Sequence, residues 1–409
     1  MRALKRLLEK PHFIWFLIIA AYGVSLFSIV LPQPPEGLEE IRALEALSPF
    51  SDGEFPPRIG TVREVKDIGH PAYYAIAGYV AYAVKGDIAK LRFIHWLVIC
   101  LVFLAFVKLG LRYTYRNRLN PAWVSGALLM FAVNPYVWRA AVHVGYPGFL
   151  LLCLLCALWA FDTNRPGLTC LFTTIAVLTD WVALVLAAAM IFARLMEERG
   201  RVVRPLLIAY SLAPLVMAAL LYFAWDGFLP QGDARTWLQS YTDQGRGFFQ
   251  LPRLTYALAV LPLYTTWYTL SWGFKARTRA LAIGAVAVVL AIPFFFAMPI
   301  EMDYWERARS GLEVSRGFVD QGALWFTGEY KNLVLFVPYV LGVFLLAQLA
   351  LMDILDRSRV LWFFILGFFA LQPLLLGAGT DATVMFIIPF VLLLSLSEAM
   401  VGEEGNLMR

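Results

Sequence analysis

Apolar runs of about twenty residues follow one another along almost the whole chain. A run of this length, coiled as a helix, can cross the ~30 Å hydrocarbon core of a bilayer. Lipid offers no partner for backbone N–H and C=O groups, so such a run is stable there only as a helix. Hydrophobic residues make up 60% of the sequence and charged residues 15%, whereas soluble domains have about half and about a quarter. The pattern therefore predicts an all-α integral membrane protein.

About twelve runs, within a range of 11–13, qualify as membrane-spanning helices, and they predict a single polytopic membrane domain over residues 1–409. A shorter thirteenth candidate covers residues 71–86. The twelve predicted spans are 13–31, 92–110, 121–138, 148–161, 167–180, 181–196, 205–225, 254–273, 279–298, 333–352, 359–377 and 383–401.

The distribution of positive charge predicts the orientation of these spans. The basic segment MRALKRLLEK precedes the first span, and 19 of the 34 Lys and Arg residues fall in the short connections on that same side. Because Lys and Arg concentrate in cytoplasmic loops, both termini are predicted to be cytoplasmic. The first span lacks a small-x-small cleavage pattern and is interpreted as retained. The bacterial inner membrane is the predicted location.

Three long connections fall on the extracytoplasmic side, at residues 32–91, 226–253 and 299–332. Loops of this size in a compact protein are usually functional or disordered, and these are rich in aromatic residues and Arg. The sequence therefore predicts that function faces outward, on folded loops that carry amphipathic helices.

The first of these loops contains an amphipathic segment, EGLEEIRALEAL, that predicts a helix lying in the membrane interface. Its apolar residues are spaced three apart, at Leu38, Ile41, Leu44 and Leu47. Three glutamates, Glu36, Glu39 and Glu40, lie at its start, where the helix dipole stabilises carboxylates. Capping and solvation explain these acids structurally, and acid–base chemistry is the alternative explanation.

Neither the histidines nor the cysteines show metal-ligand spacing. The four cysteines lie inside apolar runs, so Cys153 and Cys156 are interpreted as small residues on a helix face, although their CxxC spacing is also typical of metal or redox sites. No cofactor is predicted, and a divalent metal has no support in the spacing. The net charge of +5 is not clustered, so nucleic acid is not a predicted partner.

Several segments of the first 200 residues resemble GT-C glycosyltransferases. PPRIG, then DIGHPAYYAIAGYVAY, then KLRFIHWLVICLVFLAFVKLGLRYTYRN are similar to the first periplasmic loop and second span of that superfamily, in particular of lipid A aminoarabinose transferases and protein mannosyltransferases. The sequence departs from the family pattern at Pro35, where the family has the first acid of a pair, and at Ala72, where it has a second proline.

The resemblance implies a GT-C-like fold and transfer of a sugar from a polyprenyl-phosphate donor to a glycan, lipid or protein acceptor at the outer leaflet. It also implies that a loop-1 carboxylate acts as the general base. Glu36 fits the position of the family's acid best, and Glu39 and Glu40 are the alternatives. The implied substrate-binding residues are Arg58, Arg63, Lys66, Asp67, His70, Tyr73, Tyr74, Arg139 and His143.

Two other functions are consistent with the sequence. Twelve spans with cytoplasmic termini are also a common plan for a transporter or flippase, although the chain shows no internal repeat and few ionisable residues in mid-span. A GT-C-like scaffold without catalysis, acting as a subunit of a membrane complex, is the third hypothesis, because family acids are missing.

Overall fold

The computed structural model describes residues 7–31, 34–35, 38–51, 70–197, 205–225, 251–275, 278–297, 331–351, 358–371 and 380–398. Apart from one π-helical turn at Leu26–Val30 and a single 3₁₀ residue, the regular structure in these ranges is α-helical, which confirms the all-α prediction there. The α-helices are α1 Pro11–Ser25, α2 Leu38–Ser51, α3 Pro71–Ala83, α4 Ile88–Arg116, α5 Ala122–Ala132, α6 Pro135–Val142, α7 Tyr146–Asp162, α8 Pro166–Val177, α9 Val182–Glu197, α10 Pro205–Trp225, α11 Leu251–Lys275, α12 Thr278–Ala297, α13 Lys331–Leu351, α14 Arg359–Leu371 and α15 Thr380–Glu398.

Local sequence signals explain where several helices begin. Proline stands at the start of α1, α3, α6, α7 and α8, a position where its missing N–H costs no hydrogen bond. The long helix α4 follows Asp87, whose carboxylate accepts a 3.3 Å hydrogen bond from the backbone N–H of Lys90. Asn134 caps α6 in the same way, through the N–H of Tyr136 at 3.0 Å. These are ordinary N-cap interactions.

Two helical segments in the described ranges, Pro11–Ser28 and Ile88–Arg116, are long and apolar enough to cross a membrane. A third span results if Tyr136–Val142 and Tyr146–Asp162, which meet at 109°, are counted as one broken span. Eight further apolar helices of 10–17 residues accompany them. The chain thus has helices that can span a membrane.

Several of the predicted spans differ from the structure, among them 167–180, whose helix α8 is only 12 residues long. The run 121–138 is not one helix, because α5 ends at Ala132 and α6 starts anew at Pro135, a residue that cannot continue the preceding hydrogen-bond ladder. The run 71–86 forms the 13-residue helix α3. At ~1.5 Å per residue this helix is only about 20 Å long, too short to span.

The helices share one large apolar core, and α2 and α3 build a smaller one beside it. Buried aromatic rings of α4, α5 and α15, among them Phe103, Phe131 and Phe390, fill the large core. Large side chains on the opposite faces, such as Phe16, Phe223 and Trp267, are more than half exposed. Those faces suit contact with lipid, because lipid rather than water can cover them.

The buried face of α2 overlaps only in part with the stripe that the sequence predicts. Leu47 of that stripe is buried with Ala43 and Phe50 in the core shared with α3, whereas Ile41 is 40% exposed and Glu40 is buried instead. The difference arises because the small Ala43 permits close packing and the carboxylate of Glu40 has buried partners. The interfacial helix thus presents a charged residue to the protein interior.

Close contact between α11 and α13 depends on a glycine. A Cβ added at Gly342 would overlap the backbone carbonyl of Leu258, and backbone atoms cannot turn away as a side chain can. We expect Gly342→Ala to destabilise the protein by about 1–3 kcal/mol, measured as thermal unfolding in detergent micelles. Gly167→Ala is the matched control, because a Cβ there has no neighbour within 4 Å. Equal melting temperatures for the two variants would contradict this packing.

Candidate functional site

A buried ion pair joins loop 1 to the start of α4. The guanidinium of Arg92 donates to both oxygens of Glu40, from Nε to Oε1 at 2.9 Å and from Nη2 to Oε2 at 2.8 Å. The side chains are 0% and 1% exposed. Arg92 also donates to the carbonyls of Val30 at 2.6 Å and Pro34 at 3.2 Å. A bidentate pair whose arginine also donates to two carbonyls fixes α2 against α4 and against the segment that follows α1.

The same carboxylate holds the corner between α6 and α7. His143, the residue after α6, lies with Nδ1 3.0 Å from Oε2 of Glu40. The backbone N–H of Val144 donates to Oε1 at 3.1 Å. Glu40 therefore receives hydrogen bonds from three residues in two other parts of the chain and is the common centre of this site.

These contacts decide the charge of Glu40. Burial alone would raise the pKa of its carboxyl, but hydrogen bonds from Arg92, His143 and the Val144 backbone outweigh burial and hold the pKa well below its ordinary value of 4.5. Charged donors favour the ionised form in this way. Glu40 is therefore a carboxylate at every physiological pH.

We expect the fold to lose stability in acid because of this group. A carboxyl with a depressed native pKa contributes stability that is fully present above its unfolded pKa and is lost as the pH falls towards the native value. The melting temperature should therefore be constant from pH 7 to 5 and fall progressively below about pH 4.5. Glu40→Gln should flatten this dependence, whereas Glu45→Gln, on the exposed face of the same helix, should not. An unchanged acid transition in Glu40→Gln would contradict the assignment.

Aromatic side chains form a wall beside Glu40. The hydroxyl of Tyr73 lies 2.8 Å from Nε2 of His95, and Nδ1 of His95 lies 2.8 Å from the carbonyl of Leu91. Since a carbonyl only accepts, Nδ1 carries the proton and Tyr73 donates to Nε2. The Tyr73 ring contacts Tyr74 edge-on at 5.0 Å and lies 6.5 Å from Tyr146.

A second polar group closes the far end of this wall. The ring of His70 stacks on Tyr146 with centroids 3.6 Å apart, and its Nδ1 lies 2.6 Å from the carbonyl of Thr179. Asp180 accepts a 2.9 Å hydrogen bond from the N–H of Val182 and one from the side chain of Tyr146. His70 has a left-handed backbone, with φ of 48°, a strained conformation for a residue with a Cβ.

The site lies at one end of α4. At the other end of that helix, Arg112 and Arg116 form ion pairs with Asp162, the Arg116 contact measuring 2.7 Å. The 24 residues from Arg92 to Arg116 correspond to about 36 Å of helix. The two polar ends are therefore about as far apart as the two interfaces of a bilayer.

The structure brings together five of the residues that the resemblance implies: Glu40, His70, Tyr73, Tyr74 and His143. Arg139 lies on α6, one turn before His143, whose N–H donates to its carbonyl at 3.0 Å. Glu39 is on α2 with its side chain outside the described atoms. Four of the predicted binding residues and one of the predicted catalytic glutamates lie outside the described residues: Arg58, Arg63, Lys66, Asp67 and Glu36.

Sequence reasoning missed Arg92, His95, Tyr146 and Asp180 as site residues. Arg92 and His95 are three apart at the start of a long apolar helix and therefore share a face. Polar residues inside such helices are costly and usually have a partner, so this spacing was the available signal. Asp180 stands between two apolar runs and was interpreted as a span end.

Among the described residues, no three His, Cys, Asp or Glu side chains are grouped so that they could hold a metal ion. Comparisons of the chain with protein-family models, curated proteins and solved structures found no match. The assignment of a function therefore depends on the chemistry of the site and on the resemblance of its motifs.

Proposed function

We propose that this chain is a GT-C-type integral membrane glycosyltransferase of the bacterial inner membrane. In this proposal it has about twelve spans and two cytoplasmic termini. It transfers a sugar from a polyprenyl-phosphate donor to a glycan, lipid or protein acceptor on the extracytoplasmic side. The observation that carries the proposal is the cluster at Glu40, because residues implied by one family resemblance come together there from three separate segments of the chain.

The groups of the cluster fit the needs of sugar transfer. Transfer requires a base within hydrogen-bond reach of the acceptor hydroxyl, and acid–base side chains are concentrated here. At the edge of the tyrosine wall, the half-buried stacked rings of His70 and Tyr146 are of the kind that bind sugars. A lipid donor needs access from the membrane, and the exposed apolar faces of the neighbouring helices would provide it. Among the loop-1 carboxylates, Glu40 supplies the negative charge at the centre of this site.

Reconstituted transfer tests the proposal. Purified protein in proteoliposomes should move labelled sugar from a polyprenyl-phosphate donor to an acceptor extract from the cell envelope, using a panel of donor sugars. Release of free polyprenyl phosphate should match the sugar transferred. Uptake of donor across the vesicle without transfer would favour a flippase. Copurification in a stable complex with no donor turnover would favour a scaffold subunit.

A further inference from the structure

We infer that the general base is His143, oriented by the buried carboxylate of Glu40, and that neither Glu36 nor Glu39 takes the acceptor proton. The inference rests on the proposed function and assigns the acid–base chemistry of that same site. It is based on the arrangement of Arg92, Glu40 and His143, in which each side chain fixes the next.

The partners of Glu40 determine the tautomer of His143. Glu40 is ionised and can only accept hydrogen bonds, so the 3.0 Å contact with Nδ1 places a proton on Nδ1. A neutral imidazole with Nδ1 protonated has its basic lone pair on Nε2. The carboxylate also stabilises the imidazolium that forms when Nε2 accepts a proton. A buried carboxylate and a histidine with this geometry form a proton-transfer dyad, in which the carboxylate orients the histidine and the histidine acts as the base.

Glu40 itself is poorly suited to be the base. Both of its oxygens receive two hydrogen bonds each, and a carboxylate with a strongly depressed pKa has little tendency to take a proton. Its side chain is 1% exposed, while that of His143 is 14% exposed. The imidazole of His143 is therefore the more accessible of the two groups.

The inferred step transfers one proton to His143 and one sugar to the acceptor. Nε2 of His143 takes the proton of the acceptor hydroxyl, and the acceptor oxygen forms the new bond to the anomeric carbon of the sugar. The bond between that carbon and the phosphate oxygen breaks, and its electron pair leaves with the polyprenyl phosphate. The imidazolium then returns its proton to water, so the enzyme is regenerated without a further reactant.

His143→Gln tests the assignment in the proteoliposome assay. We expect kcat to fall by at least about 100-fold, the usual contribution of a general base, with the KM for the donor within about threefold. His143→Ala should regain part of its activity when free imidazole is added, because imidazole can replace the missing base. His12→Gln is the matched control, since His12 is exposed and distant from the site, and it should retain wild-type activity.

The rate–pH profile gives a second readout. Glu40→Asp keeps the charge but shortens the reach to Nδ1 of His143, so it should change the rate–pH profile of transfer, whereas Glu45→Asp on the exposed face of the same helix should not. The charged group that contacts the His143 ring is Glu40 on α2, which Arg92 on α4 contacts in turn, and the carbonyl of Arg139 on α6 accepts a hydrogen bond from the backbone N–H of His143.

The outcomes separate the inference from the proposed function. If the wild type transfers sugar and His143→Gln does so at the same rate, the inference is overturned and the proposed function stands. If the wild type transfers sugar, His143→Gln does not, and imidazole rescues His143→Ala, the inference and the function are both supported. Loss of activity without any imidazole rescue, in variants that melt like the wild type, overturns the role as base in favour of a binding role. A wild-type protein that transfers no sugar from any donor overturns both.

Discussion

Arg92→Met is expected to destabilise the folded protein by about 3–5 kcal/mol, the usual effect of removing one partner from a buried ion pair. The substitution leaves Glu40 as an ionised group with a 1% exposed side chain, and it also removes the donor to the Val30 and Pro34 carbonyls. Thermal unfolding of the purified protein in detergent, followed by circular dichroism, measures the effect.

Two further variants show whether the loss of stability comes from breaking the buried ion pair. The double variant Glu40→Met with Arg92→Met removes both charges and should recover about half of the loss, because apolar residues of similar volume can replace a buried pair. Recovery stays incomplete, since Val144 N–H and the two carbonyls lose their partners. Arg116→Met, which breaks a pair whose arginine is 33% exposed, should cost less than about 1 kcal/mol. A melting temperature of Arg92→Met equal to that of Arg116→Met would contradict the buried pair.

Glu40→Gln should reduce the rate of sugar transfer by about 10²–10⁴-fold. The introduced amide can donate to Nδ1 of His143, which moves the imidazole proton to Nε2 and removes the basic lone pair from the substrate side. The double variant Glu36→Gln with Glu39→Gln should transfer sugar within about threefold of the wild type, because the inferred base does not depend on either carboxylate. Initial rates normalised to folded protein measure both.

The opposite pattern would restore the interpretation made from sequence. If the Glu36 and Glu39 double variant loses transfer while Glu40→Gln keeps it, a carboxylate at the start of α2 is the base and Glu40 has only a structural role. Glu45→Gln on the exposed face of α2 serves as the control for general effects of removing charge from this helix.

Much of the helical architecture follows from local sequence. Apolar run length predicts most of the described helices, and proline or a capping Asp or Asn accounts for where many of them start. The break between α5 and α6 also has a local cause in Asn134 and Pro135. It was missed because hydropathy averaged over 121–138 hides a single proline.

The site could be predicted only in part, because its central contacts are non-local. Glu40 and Arg92 are 52 residues apart, and Glu40 and His143 are 103 apart. The resemblance identified the tyrosine pair, His70 and His143 as site residues. The amphipathic pattern of α2 was correct only in part, because Leu47 meets the core shared with α3 but Ile41 is exposed. A glutamate counts as polar in such a pattern, and only its distant partners reveal that it is buried.

Photocrosslinking of a donor analogue tests the central claim most directly. A polyprenyl-phosphate sugar with a photoreactive group on the sugar, bound to the purified protein and mapped by mass spectrometry, should label the corner at His143–Tyr146 and the start of α3 at His70–Tyr74. Unmodified donor should compete with this labelling. Competed labelling confined to the opposite end of the bundle, around Arg112, Arg116 and Asp162, would contradict the proposed site. Labelling that unmodified donor does not reduce would contradict specific donor binding.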